Sequence, residues 1–206
     1  MEDLSNVIAG KIFASLHRYA QHTKAGQAYM DNIQFVVNLP NRKSFNPDVA
    51  FYVGPRANGK FLQGAPVFAV EVRSKDDYSS EAEQAMSAKR RDYFAAGTCV
   101  IWDVDALKAK VVRVYRAKDP NYPRIYRCGE IAEAEPALPG WILPLDDLFT
   151  DERVLVGEDN KLAYSEDGVD LTLIRWMLSM TPAERLQTLQ RAIESIMKLR
   201  DGKLNV

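Results

Sequence analysis

The run PVFAVEVRSKDD, residues 66 to 77, carries a carboxylate where a core strand should be apolar. Val67, Phe68, Ala69, Val70 and Val72 surround Glu71. A charge in that setting is unfavourable unless it is paired or bound to a cation. Alternation along a strand puts Val67, Ala69, Glu71 and Arg73 on one face and Phe68, Val70 and Val72 on the other. Glu71 then sits near the carboxyl end of its strand, where open α/β sheets place their sites. A second carboxylate, Asp48, opens the run PDVAFYV behind a proline that keeps Asn46 extended. If the two strands are neighbours, Asp48 and Glu71 converge, and they repel unless a cation lies between them. Hard oxygen donors of this kind suit Mg²⁺ or Mn²⁺.

The third residue is a lysine. In SSEAEQAMSAKRRDYFAAG, helical spacing aligns Ala82, Ala85, Met86, Tyr93 and Ala96, and Lys89 falls inside that stripe. A lysine on an apolar stripe and a glutamate in an apolar strand explain each other if the helix packs across the sheet. Lys89 would then orient water or stabilise charge on a phosphate. The same spacing turns Arg90 and Arg91 outward, either as a solvated face or as phosphate contacts beside the cleft, together with Arg113, Arg116 and Lys118 on a later hairpin. Gln27 and Asp31 are further polar candidates on the first strand.

These residues need a sheet with a helix on it, and the chain predicts one. Leu4, Ile8, Ile12, Leu16 and Tyr19 mark a helix over 4 to about 24, with Gly26 as its stop. Strands are expected in QAYMDNIQFVVNLP, NPDVAFYV and the opening run, with GPRANGKFLQGAP as a loop between the last two. The helix over 79 to 97 has Ser79 or Ser80 to cap it, acids in its first turns and Gly97 to end it. TCVIWDVD and KAKVVRVYRA form a strand pair, short strands follow at 124–128 and 141–143, and LPLDDLF closes as a helical turn. The fold class is α/β or α+β with a central mixed sheet. Residues 1–150 form this domain and 151–206 a helical C-terminal extension, in which Thr181, Pro182 and Glu184 start a helix.

Composition narrows the function classes. Apolar residues make up 47% of the 206, enough for a core and against disorder. No apolar run reaches the roughly 20 residues of a membrane span, and the first residues lack the pattern of a secretory signal. Two cysteines and two histidines argue against a disulfide framework or a zinc site and fit a reduced cytoplasm. GPRANGK lacks phosphate-loop spacing, so no organic cofactor is indicated. A net charge of −1 gives no global basic field, so any DNA must be met by local positive potential. Trp102, Trp141 and Trp176 are expected as core or contact residues, and Cys99 as a core residue.

Pro47-Asp48 followed by VEVRS resembles the PD-(D/E)XK nuclease superfamily. More narrowly, NPDVAFYV, PVFAVEVRS, the segment from Lys89 to Gly97, VIWDVD and ALPGWILPLDDLF resemble, in order, the Uma-type family, a domain of unknown function classed with the restriction endonucleases. The resemblance covers about residues 5 to 150. It implies a restriction-endonuclease-like αβββαβ core and metal-dependent cleavage of DNA phosphodiester bonds. It also implies Asp48, Glu71 and the Val72 carbonyl as ligands of Mg²⁺ or Mn²⁺, and Lys89 as the catalytic cation. The superfamily's lysine two residues after the Glu is Arg73 here, which leaves Arg73 as a phosphate contact. A homodimer would match two strands with two sites. The alternative reading is a nuclease fold without catalysis, serving in nucleic-acid binding or assembly.

Overall fold

The computed structural model describes residues 2–55, 59 and 61–150; the expected C-terminal extension, Trp176 and the Thr181 helix start lie outside them. Helix α1 (Glu2–Thr23) forms because Ile8, Ile12 and Leu16 recur every fourth residue and are almost fully enclosed. It ends on Lys24, whose φ of 56° is the left-handed turn that was expected of Gly26. Gly26 serves a different purpose: a Cβ there would lie 2.5 Å from the Tyr52 carbonyl oxygen, so the chain passes too close to that backbone for any side chain.

Six strands make the central sheet: β1 (Gln27–Met30), β4 (Val49–Tyr52), β6 (Phe68–Val72), β7 (Val100–Asp105), β8 (Val111–Arg116) and β9 (Asp119–Arg127), in spatial order β1-β4-β6-β7-β8-β9. Only β6 and β7 run parallel, and the crossover between them is helix α2 (Ser80–Ala95). The order α1, β1, β4, β6, α2, β7 is the αβββαβ succession. Strands β4, β6 and β7 are buried on both faces, which is why they are mostly apolar and why the acids among them, Glu71, Asp103 and Asp105, need partners.

One face packs on α1: Val49, Phe51, Phe68, Val70, Val100 and Trp102 join Ile8, Ile12 and Leu16. The other packs on α2: Ala50, Ala69, Ile101 and Tyr115 meet Tyr93. Ser79 caps α2 by accepting the Ala82 amide, and Gly97, at φ +105°, takes the chain out of it.

Two small sheets flank this body. Strands β2 (Gln34–Val36), β3 (Ser44–Phe45) and β5 (Phe61–Gln63) form one beside α2, adding Phe35, Phe45 and Leu62 to the cluster around Tyr93. So QAYMDNIQFVVNLP is two strands in two sheets, broken by the turn at Asp31, and the expected loop contains β5. Strands β10 (Ile131–Glu133) and β11 (Ile142–Pro144) form the other, ahead of helix α3 (Leu145–Phe149). Trp102 and Trp141 are core residues, their rings 5.0 Å apart, whereas Cys99 is only half-buried. No described helix is long and apolar enough to cross a membrane.

Candidate active site

The register of the central sheet sets the site. Strand β4 pairs antiparallel with β6 through Val49 and Val70, Ala50 and Ala69, and Phe51 and Phe68. One step further places Asp48 opposite Glu71. Directly opposed residues share a face with Cβ atoms about 5 Å apart. That face is the one under α2, since Ala50 and Ala69 pack on Tyr93. Asp48 is further fixed by the Val72 amide, which donates to its Oδ2 at 2.6 Å.

Lys89 and Tyr93 stand one helical turn apart on α2 and both reach Glu71. The Lys89 Nζ donates to Glu71 Oε2 at 2.6 Å, and the Tyr93 hydroxyl donates to Oε1 at 2.8 Å. Phe45 of β3 stacks on the Tyr93 ring with centroids 4.0 Å apart, so the phenol is held from behind. Asp48, Glu71, Val72 and Lys89 line one cleft of about 470 Å³, together with Arg42, Ser74, Asp77 and the apolar residues Ala82, Ala85 and Met86 of α2. The candidates Asp48, Glu71, Lys89 and Val72 are thus brought together. Tyr93, Arg42 and Asp77 join them without having been singled out.

Both carboxylates hold their protons more tightly than usual. Burial raises Glu71 most; Asp48 raises it further, while Lys89 and Tyr93 act against this. Asp48 is also raised chiefly by burial, against the Val72 amide and Lys89, with Asp31 and Asp77 adding to the rise. The expected role for Asp31 reduces to this: continuing the pairing of Met30 with Val49 puts it opposite Asp48. Gln27, at the other end of β1, accepts from the Tyr29 hydroxyl and lines a different cavity.

Asp48, Glu71 and Asp77 line the cleft with Lys89 and Arg42 as its cations, and Arg42 is itself paired with Asp92, so a divalent cation would find carboxylates to hold it there. Among the described residues no three His, Cys, Asp or Glu side chains are grouped to hold a metal. A donor set here would be the two carboxylates Asp48 and Glu71, completed by backbone and solvent oxygen. That fits Mg²⁺, which binds through one or two carboxylates and keeps several waters.

Of the arginines expected at phosphate, Arg73, Arg90 and Arg113 gather on a buried acid, and Arg116 binds Glu133 and the Glu135 carbonyl. Asp103 of β7 is fully enclosed, and its register partners are Glu71 on one side and Arg113 on the other. Arg73 grips it through both Nε and Nη2 at 2.6 Å and reaches Glu83 at 2.8 Å. Arg90 approaches Asp103 at 3.4 Å and lies over the Tyr115 ring at 4.3 Å. Arg113 divides between Asp103 at 3.9 Å and Asp105 at 3.4 Å. Arg90 is thus turned inward, not outward, because a buried carboxylate demands compensation from every cation within reach. Arg91 does face solvent. Arg73, paired with Asp103 and Glu83, is held above its already high range. A signal for this existed: Asp103 breaks VIWDVD just as Glu71 breaks its own strand.

The loop after β6 is ordered by its own residues. Asp77 Oδ2 accepts from the Ser74 amide and hydroxyl. Tyr78 donates to Asp105 at 2.7 Å, with Lys108 4.0 Å over its ring.

A family model described as "Putative restriction endonuclease", Uma2, matches residues 1–146. Among solved structures, the crystal structure of a putative nuclease belonging to DUF820 from Anabaena variabilis ATCC 29413 is similar, with a TM-score of 0.58 and 17% identity over 71% of this chain and 80% of that one. At that identity the likeness establishes the fold. No curated protein matches the chain.

Proposed function

The chain belongs to the Uma2 family, and from that premise we propose that it is a divalent-metal-dependent endonuclease hydrolysing DNA phosphodiester bonds. The observation that carries this reading is the convergence of Asp48, Glu71 and Lys89 in one cleft, with Lys89 2.6 Å from Glu71. Asp48 and Glu71, with the Val72 carbonyl, would hold Mg²⁺ or Mn²⁺. The bound ion supplies charge stabilisation on the phosphate and a water of lowered pKa.

The rest is done by the chain's own groups. Tyr93 and Lys89 hold the Glu71 carboxylate from two sides and so fix its orientation. The Val72 amide does the same for Asp48. Lys89 remains partly exposed, at 26% of its side chain, and so borders both carboxylate and solvent. It can steady an attacking water or the charge that develops on phosphate. Arg73 takes no part, since its guanidinium is spent on Asp103 and Glu83.

The test is plasmid cleavage with Mg²⁺ or Mn²⁺. Lys89→Met should lower the rate by about 10²–10³-fold, and Glu71→Gln should abolish it. Equal cleavage by wild type and Glu71→Gln would place the activity elsewhere. The stabilisation of the protein by Mn²⁺ should vanish in Asp48→Asn; if it survives, the metal site is wrong. A second reading, nucleic-acid binding without cutting, is favoured by one observation: both Glu71 oxygens already have protein donors. DNA binding without metal-dependent cleavage would select it.

A further inference from the structure

We infer that Arg42 is the phosphate-anchoring residue of this cleft, an assignment that rests on the nuclease reading above. The cleft is lined by Asp48, Glu71 and Asp77, and a phosphodiester entering it meets repulsion that one metal ion only partly cancels. Another cation with free donors is needed, and the candidates reduce by elimination. Lys89, held on Glu71 at 2.6 Å, is already given to the attacking water and the reacting phosphate in the reading above, so it is not a separate anchor. Arg73 and Arg90 are bound to Asp103 and Glu83. Arg42 lines the cleft and is engaged through Nε alone, to Asp92 at 2.8 Å. Its two terminal amino groups make no hydrogen bond among the described residues, and its side chain is 30% exposed.

Its position is built rather than incidental. Arg42 lies on the β2–β3 hairpin, whose turn is closed by the Val37 amide on the Lys43 carbonyl at 2.9 Å and the Leu39 amide on the Arg42 carbonyl at 3.2 Å. Its guanidinium carbon sits 5.3 Å from the Phe45 ring centroid. Phe45 stacks on Tyr93, and Tyr93 holds Glu71. A continuous set of contacts therefore fixes Arg42 relative to the proposed metal ligand. Asp92 pins the Nε edge and leaves the Nη groups for an incoming oxyanion. A guanidinium stays charged at any working pH and offers parallel donors that match two phosphate oxygens.

The experiment measures binding separately from cutting. In a Glu71→Gln background, a short fluorescent DNA duplex is titrated by anisotropy over a series of salt concentrations. Adding Arg42→Ala should weaken binding roughly tenfold and reduce the slope of log K against log salt by about 1. Arg42→Lys should keep the slope and lose less affinity. Stabilisation by Mn²⁺ should persist in Arg42→Ala on its own. Folded Arg42→Ala protein with unchanged affinity and slope overturns the assignment and leaves the nuclease reading intact. Loss of the Mn²⁺ effect would also overturn it, by showing that Arg42 acts through the metal site. Wild-type protein that binds no DNA would overturn both.

Discussion

At the scale of single residues, the cleft is ordered by groups that donate to its carboxylates. Glu71 is enclosed, yet its two oxygens have separate donors on α2. Residues that orient a metal ligand typically change metal affinity by about 10–100-fold when removed. Tyr93→Phe should therefore weaken Mn²⁺ binding by about that factor, read by calorimetry without DNA. The aromatic near-ultraviolet dichroism should persist, because the ring keeps its stack on Phe45. Unchanged Mn²⁺ affinity would leave Tyr93 a packing residue only. Glu71 and Lys89 could be picked out of the sequence because each interrupts an apolar pattern, and Asp48 because it opens the strand run behind Pro47. Tyr93 could not, since a tyrosine satisfies the stripe through its ring and conceals the hydroxyl. Arg42 lies in a hairpin with no periodicity to break, and only the fold carries it to the cleft.

At the scale of elements, the Asp103 cluster ties β6, β7, β8 and α2 into one unit. Arg73 directly follows β6, Arg113 comes from β8 and Arg90 from α2, and all three approach one buried carboxylate. Removing one member of a buried ion group leaves charges unpaired and typically costs about 3–5 kcal/mol. Asp103→Asn should therefore lower stability by about that much in urea unfolding, and Arg73→Met in the same protein should recover part of the loss. Strict additivity of the two would mean that the residues are not coupled. The sequence showed that an acid sits inside VIWDVD but not what neutralises it, because strand register is absent from a linear pattern. The same limit explains the elements that were misread. Long periodic segments such as α1, α2, β7 and β8 carry their own evidence. Strands of three residues such as β5 and β10 exist because neighbouring chain offers an edge, and one buried residue between two more exposed ones is too short a pattern to show a period.

At the scale of the whole molecule, two pairs of carboxylates respond to acid in opposite ways. Asp48 and Glu71, in the cleft, bind protons more readily in the folded chain than in the unfolded one. Their ionised forms oppose folding, and that opposition is relieved as pH falls through their raised folded values. Asp105 and Glu133 lie outside the cleft and behave in reverse. Burial opposes ionisation of Asp105, but Tyr78, the Lys108 and Ala109 amides and Arg113 overcome it and hold the carboxyl below its usual range. Burial is likewise outweighed at Glu133 by the Glu135 amide, Tyr126 and Arg116. A depressed carboxyl contributes stability that is full above its unfolded value, near 4, and is lost as pH falls through the folded value. Asp105→Asn should thus melt below wild type at pH 7, and the two melting temperatures should converge as the pH is lowered past about 4. Because Asp48 and Glu71 titrate identically in both proteins, their opposite contribution cancels in the difference. Calorimetric melts between neutral and acid pH decide the matter: a gap that stays constant would show that Asp105 stabilises through packing or neutral hydrogen bonds and not through its charge.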